Sequence, residues 1–496
     1  MPFAKILAFD ATRSISDLNN TPKGLVSGGN RMPDIALNKL WGNDLAWPAA
    51  DDNQRNKGCN YFRIGTANLP PNAKTSDTLN SGFWTGKWEN LTVSQVQSLA
   101  GQFANRSIIF LDLEADIDYY HPNTNRNIAV LGYYIKQANP NIKLNFWFNP
   151  SAEYKLRTST ADLRLNFFRS SGIGQAYAWC VPSEHVAAFG QNLTVIGAIN
   201  DTHSEAGNQS ILQIWNTITV TFGYDDFFWA FPTGQNLSVE NDSTAAVGLG
   251  LINAIHLIKK QNPNLNVVGF FWYCVESAIF TEHYFAQTSL GGVRHTDKVV
   301  YPANIYKAAC FWALFFGDGC YHWFGLGEVT TNIDKWLYYG HPSHPDPNVR
   351  NVTYLGSTPY NAATYNVPGY HLTKEAHILD AALQAAQMYS QVQSVCDVAT
   401  ATSPAFEYRR QNRNASGVES WSNWTSYTPP TNGAAAAQCM LDKVPFVSMK
   451  TSAGQSVVAA QDFWANVPYS SEIRLMVGGS SETMQLNGNS ISVYKK

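Results

Sequence analysis

The chain has 496 residues, of which 45% are hydrophobic and only 14% charged, with a formal net charge of -3. That length exceeds one ordinary domain and suits a large α/β barrel of about 250 to 400 residues followed by one smaller module. The near-neutral balance, with no long Lys/Arg run, excludes the electrostatic footprint of a nucleic-acid binder or of a protein held on an anionic membrane.

In chain order, Lys5 to Asp10 (K-I-L-A-F-D) has the form of a first barrel strand ending in an acid, and the polar stretch to about Lys57 reads as a loop over the barrel mouth. Asn60 to Thr66 (N-Y-F-R-I-G-T) is a second strand. The following F-W-T-G-K-W-E, with Trp84, Trp88 and Glu89, is a third strand or an aromatic loop. Leu91 to Gln102 reads as a helix capped by Thr92 or Asn90.

The chain then reaches Ser107 to Asp118, S-I-I-F-L-D-L-E-A-D-I-D, the segment around which the rest is organised. Ile108 to Leu111 is the apolar run of a parallel strand covered on both faces. Asp112 and Glu114 stand two apart, so strand alternation puts both on one side at the carboxyl end. Next come a helix over Ile128 to Ala138, stopped by Asn139-Pro140, and a strand over Lys143 to Phe148 ending in Asn149-Pro150. Strand, helix and strand in alternation are the mark of parallel βα units. Ala161 to Ser170 reads as a helix, and Ala176 to Pro232 holds three or more short apolar runs that leave the strand number open.

Ala245 to Lys260 is a helix ended by Asn262-Pro263, and Val267 to Val275 is a long apolar strand that stops at Glu276. Pro302 to Phe316 is apolar and helical, leading into Gly317-Asp318-Gly319-Cys320-Tyr321-His322-Trp323, a last strand. His377 to Val392 is the final helix. From about Cys396 the texture changes to Ser, Thr, Pro and Gly with short alternating strands: V-P-F-V-S-M, S-V-V-A-A-Q-D-F-W, E-I-R-L-M-V and I-S-V-Y. The expectation is an α/β chain: a (β/α)8 barrel over 1–395, then a small all-β sandwich over 396–496. Gln411 to Asn432, with Trp421 and Trp424, crosses back to the barrel or forms a surface loop.

The chemistry follows from the acids. In a barrel the working residues come from the carboxyl ends of different strands. The opening acids follow the third or fourth strand and Glu276 the seventh. A pair facing across the mouth suits cleavage of a glycosidic bond, in which one acid protonates the leaving oxygen and the other attacks the anomeric carbon or activates water. Glu114 is the candidate general acid/base, Glu276 the nucleophile, and Asp112 tunes Glu114. Aromatic residues make up 13% of the chain, including 15 Trp, and many stand beside polar residues. A ring face suits the apolar C–H patch of a sugar, and neighbouring amides and acids suit its hydroxyls. The candidate lining is Asp10, Trp88, Trp147, Asn149, Trp272, Tyr273, Asp318 and Trp323. Among other carboxylates, Asp225 and Asp226 before F-F-W-A-F are the strongest reserve.

Three motifs, D-L-E at 112 to 114, W-Y-C-V-E ending at 276 and G-D-G-C-Y-H-W at 317 to 323, give the chain a resemblance to the TIM-barrel glycoside hydrolases with a C-terminal β-sandwich. The resemblance implies hydrolysis of an oligo- or polysaccharide by two carboxylates with retention, and a Trp floor at the last strand. In the retaining clan the acid follows an Asn, whereas Glu114 follows Leu113. The D-x-E spacing also resembles chitinase-like barrels, in which a substrate acetamido group assists; there Phe110 stands where another Asp is required. A glycan-binding barrel without catalysis is the reading from another class, and a lyase acting on uronic-acid polymers a further one.

No P-loop, H-E-x-x-H or G-x-S-x-G pattern is present, the histidines lack ligand spacing, and no metal or cofactor is expected. The seven cysteines, at 59, 180, 274, 310, 320, 396 and 439, form no disulfide or metal pattern. Met1 to Asp10, broken by Lys5 and Asp10, reads as neither a signal nor a membrane span. A secreted or periplasmic destination, with the leader removed, is the expectation, and the cytoplasm the alternative.

Overall fold

The computed structural model describes residues 2–8, 35–43, 61–63, 74–79, 94, 97–98, 101–103, 106, 108–111, 132–148, 217–222, 255, 266–272, 274–276, 298–300, 303–323, 374–413, 419–430, 435–464, 470–477 and 479–496. The strands before the barrel's last helices are β1 (Ala4–Lys5), β2 (Leu40–Asn43), β3 (Tyr61–Arg63), β4 (Lys74–Leu79), β5 (Ile108–Leu111), β6 (Lys143–Phe148), β7 (Thr217–Phe222), β8 (Asn266–Trp272), β9 (Cys274–Glu276) and β10 (Lys298–Val300). Helix α1 (Ala303–Phe316), strand β11 (Gly319–Trp323) and helix α2 (Lys374–Ser390) follow. Strands β2 to β8 and β11 pair in parallel and close into a barrel, with β11 completing the ring between β8 and β2.

Closure demands close backbone approach at the seam. A Cβ on Gly319 would lie 2.4 Å from the Leu40 carbonyl oxygen, and one on Gly317 would lie 2.7 Å from the carbonyl oxygens of both Ala313 and Val267. Only glycine fits there. Between them Asp318 ties three strands together: its amide donates to Val267 O at 2.7 Å, its carboxylate accepts from Val267 N at 2.7 Å, and its carbonyl accepts from Leu40 N at 3.1 Å.

Helix α1 is apolar nearly all round, which requires burial on every side. It packs on α2, β8 and β11. Lys39, entering β2, donates to Leu314 O and Gly317 O, each at 2.6 Å, and so satisfies carbonyls at the C-terminal end of α1. Beyond α2, the short helix α3 (Gln393–Cys396) holds the entry to β2, with Gln393 Nε2 donating to Ala36 O at 2.7 Å and Asn38 N to Gln393 Oε1 at 3.1 Å.

The C-terminal part has β12 (Ala401–Thr402), β13 (Phe406–Arg413), β14 (Glu419–Trp421), β15 (Thr425–Tyr427), α4 (Ala435–Asp442), β16 (Phe446–Ser452), β17 (Gln455–Gln461), β18 (Ser470–Val477), β19 (Ser480–Asn487) and β20 (Ser492–Lys495). One antiparallel sheet runs β1-β20-β17-β16-β12, and a second runs β14-β13-β18-β19 with β15 also on β13. Phe406, Val447, Val458, Ile473, Leu475, Leu486 and Tyr494 from the two sheets share one core.

Several expectations change. The described part of Lys5 to Asp10, residues 5–8, is not in the barrel: Ala4 and Lys5 pair with Lys495 and Tyr494 in the C-terminal sheet. The first barrel strand is instead L-W-G-N at β2, inside the stretch read as a loop. The third is K-T-S-D-T-L at β4, and the aromatic F-W-T-G-K-W-E lies outside the described residues. The sixth, T-I-T-V-T-F at β7, matches none of the apolar runs picked out between 176 and 232. Within Gln411 to Asn432, read as a crossing to the barrel or a surface loop, the described strands β14 and β15 fold back onto β13. The expected strand Val267 to Val275 ends its barrel pairing at Trp272, and Cys274–Glu276 forms a separate antiparallel ribbon with β10. The expected helix at 161–170 lies outside the described residues.

Candidate active site at the barrel mouth

Because the eight strands run parallel, their carboxyl ends share one rim. Those ends are Asn43, Arg63, Leu79, Leu111, Phe148, Phe222, Trp272 and Trp323. In chain order β5 is the fourth barrel strand and β8 the seventh. Asp112 and Glu114 follow the end of the fourth strand by one and three residues, and lie outside the described residues, as do Asp10, Trp88, Asn149 and Tyr273. Glu276 follows the end of the seventh strand by four residues, in β9. Strands four and seven stand three apart in a ring of eight, so chain leaving them approaches from well-separated sides of the rim.

Trp272 and Trp323 are register partners at the ends of adjacent strands, and Trp147 is the penultimate residue of β6. Three of the expected aromatic lining residues therefore stand at the carboxyl rim. Asp318 does not: it precedes β11 and bonds the amino ends of β8 and β2, at the opposite end of the barrel, so the structure gives it the seam instead of a sugar cleft. A carboxylate flanked by two glycines at the start of a strand has the same sequence appearance as one in a mouth loop.

Two polar strand ends went unread in the sequence, Asn43 and Arg63. Asn43 sits in a strand of four residues whose apolar content is too small to stand out, and Arg63 lies inside a strand read as running on to Thr66. The ribbon beyond strand seven adds a further charged residue, since Lys298 pairs across from Glu276. Among the described residues no group of three or more His, Cys, Asp or Glu is arranged to hold a metal ion, and no helix is long and apolar enough to cross a membrane.

The strongest polar clusters of the described residues lie away from the mouth, where the barrel meets the C-terminal sheets. Trp312 of α1 donates to Gln461 Oε1 at 2.8 Å, and Gln461 Nε2 donates to Asn489 O at 2.8 Å, both from fully buried side chains. Lys450 is buried on β16, donates to Cys396 O at 2.7 Å and stands 4.9 Å from the centre of the Phe315 ring. Burial, reinforced by Lys39, pushes its pKa down to about 8, against smaller opposing effects of Cys396, Asp397 and Asp318. Desolvation likewise pushes the Cys396 thiol up to about 11.

No protein-family model matches the chain, and no curated protein matches it in sequence. Comparison with solved structures gives matches at low identity. An alpha-amylase from Geobacillus thermoleovorans complexed with acarbose is 9% identical, covering 92% of this chain and 98% of its own at a TM-score of 0.26. A family 39 glycoside hydrolase from the gut symbiont Bacteroides cellulosilyticus is 11% identical, with coverages of 92% and 81% and a TM-score of 0.36. An alpha-L-arabinofuranosidase from Thermotoga maritima, in an arabinose complex, is 8% identical, with coverages of 85% and 75% and a TM-score of 0.34.

Proposed function

We propose that the chain is a glycoside hydrolase with a (β/α)8 barrel and a C-terminal β-sandwich, cleaving a glycosidic bond of an oligo- or polysaccharide with retention. The observation that carries this reading is positional: the closed parallel barrel has Asp112 and Glu114 just past its fourth strand and Glu276 just past its seventh. Carboxylates reaching the mouth from those two sides can serve as the acid and the nucleophile of a double displacement. Glu114 protonates the leaving oxygen and then deprotonates the incoming water; Glu276 forms and releases the glycosyl intermediate; Asp112 shapes the titration of Glu114. Trp147, Trp272 and Trp323 stand at the rim, where aromatic residues suit the apolar face of a sugar.

The test is hydrolysis of a panel of aryl glycosides and polysaccharides by the native chain and by Glu114→Gln and Glu276→Gln. Each substitution is expected to lower kcat by at least about 10³-fold, and azide should restore turnover, as a glycosyl azide, only when Glu276 or Glu114 is replaced by a small residue. Full activity in both Gln variants refutes the pair. A native protein that binds glycans but cleaves none supports the binding-protein reading instead.

A further inference from the structure

The ribbon β9–β10 continues the chain past strand seven, and its register is set by backbone pairing: Glu276 lies opposite Lys298, Val275 opposite Val299, and Cys274 opposite Val300. Directly opposed residues of an antiparallel pair have Cβ atoms about 4.5 to 5.5 Å apart, which puts an opposite-charge pair within interaction range. We propose that Lys298 is a positioning residue for Glu276, keeping that carboxylate ionised and so nucleophilic. The inference rests on the assignment of Glu276 as nucleophile.

Among the described elements around the ribbon, the charges fit a role for Lys298. Strand β8, which leads into β9, is N-V-V-G-F-F-W and brings no charge. Strand β10 contributes only Lys298, its other residues being Val299 and Val300. Helix α2, which packs against β10, carries Lys374, Glu375, His377 and Asp380 toward its start. Lys298 is thus the charged residue that the register sets against Glu276. An opposite charge within about 4 to 6 Å lowers a carboxyl pKa by about 1 to 3 units. A retaining nucleophile needs that direction, because the protonated acid cannot attack.

The experiment labels the full chain with [δ-13C]glutamate and follows carboxyl shifts by NMR from pH 3 to 8, with Glu276 assigned by difference against Glu276→Gln. In the native chain Glu276 should titrate below the usual glutamate value near 4.3. In Lys298→Met its midpoint should rise by about one unit or more, and Lys298→Arg should hold it at the native value. Lys298→Gln, which keeps a polar side chain in the ribbon, serves as the second neutral variant and should match Lys298→Met. On a cleaved aryl glycoside the acidic limb of the kcat/KM profile should move by the same amount, which a merely structural role would not produce. Midpoints for the native and neutral variants agreeing within about 0.3 unit overturn the proposal. Retained activity in Glu276→Gln overturns the nucleophile assignment separately, since the NMR titration needs no substrate.

Discussion

Replacing Lys450 by Met tests the joint between the barrel and the C-terminal sheets. The amine is buried, and its pKa falls from 10.5 to about 8, chiefly through desolvation. The folded-state value lies below the unfolded one, so the native state binds fewer protons between the two. Stability contributed by this group therefore rises with pH from about 8 to about 10.5, and the cost of burying the charged form stands in full below about 8. At about 1.4 kcal/mol per unit that cost is about 3 kcal/mol at pH 7, and about 2.5 kcal/mol of it has been recovered by pH 10. Met removes the ammonium but also the donor to Cys396 O, which costs about 1 to 3 kcal/mol. The variant should then equal or exceed the native chain by up to about 2 kcal/mol at pH 7 and be less stable by about 0.5 to 2.5 kcal/mol at pH 10. Urea unfolding at pH 7, 8, 9 and 10 measures the difference, with both chains also carrying Cys396→Ala so that the thiol pushed up to about 11 does not contribute. A stability difference constant within about 0.5 kcal/mol across that range refutes the reasoning.

Gln461→Leu should cost about 2 to 4 kcal/mol in urea unfolding, since it strands the buried Trp312 Nε1 donor and the Asn489 carbonyl together, and adding Trp312→Phe should recover part of the loss. Asp462 is fully buried and accepts two bonds from Arg410, at 2.7 and 2.8 Å; Asp462→Ala should cost about 3 to 5 kcal/mol by the same measurement, with Asp462→Asn intermediate. Gly319→Ala places a Cβ 2.4 Å from backbone oxygen at the seam, so soluble yield and cooperative unfolding should be lost, whereas Ala at Gly454, which has open space but φ +80, should cost only about 1 kcal/mol.

Elements with concentrated apolar content were legible without the structure. I-I-F-L, K-L-N-F-W-F and V-V-G-F-F-W are short segments rich in apolar and aromatic residues, read as strands, and they occupy the fourth, fifth and seventh positions of the barrel. Pro302 to Phe316 reads as apolar and helical, and α1 over Ala303–Phe316 is a helix, buried along most of its length. K-T-S-D-T-L is too polar to stand out, whereas T-I-T-V-T-F alternates polar and apolar with period two, a strand signal overshadowed by the longer apolar runs beside it; the place of both in the barrel comes from parallel neighbours on both sides. The candidate acids showed themselves as carboxylates ending apolar runs, but that pattern does not separate a mouth from a seam, and Asp318 went to the seam.

By itself the sequence determined local character: which segments must be buried, where acids follow strands, and where an alternating β-rich part begins. Partnership was decided only in three dimensions, because it depends on residues hundreds of positions apart. Ala4 finds Lys495, and the role of first strand passes from K-I-L-A-F-D to L-W-G-N, whose neighbours are β3 and the far-off β11. The same holds at the mouth. Nothing local joins Glu276 to Lys298; a ladder of backbone hydrogen bonds between segments more than twenty residues apart in sequence does so.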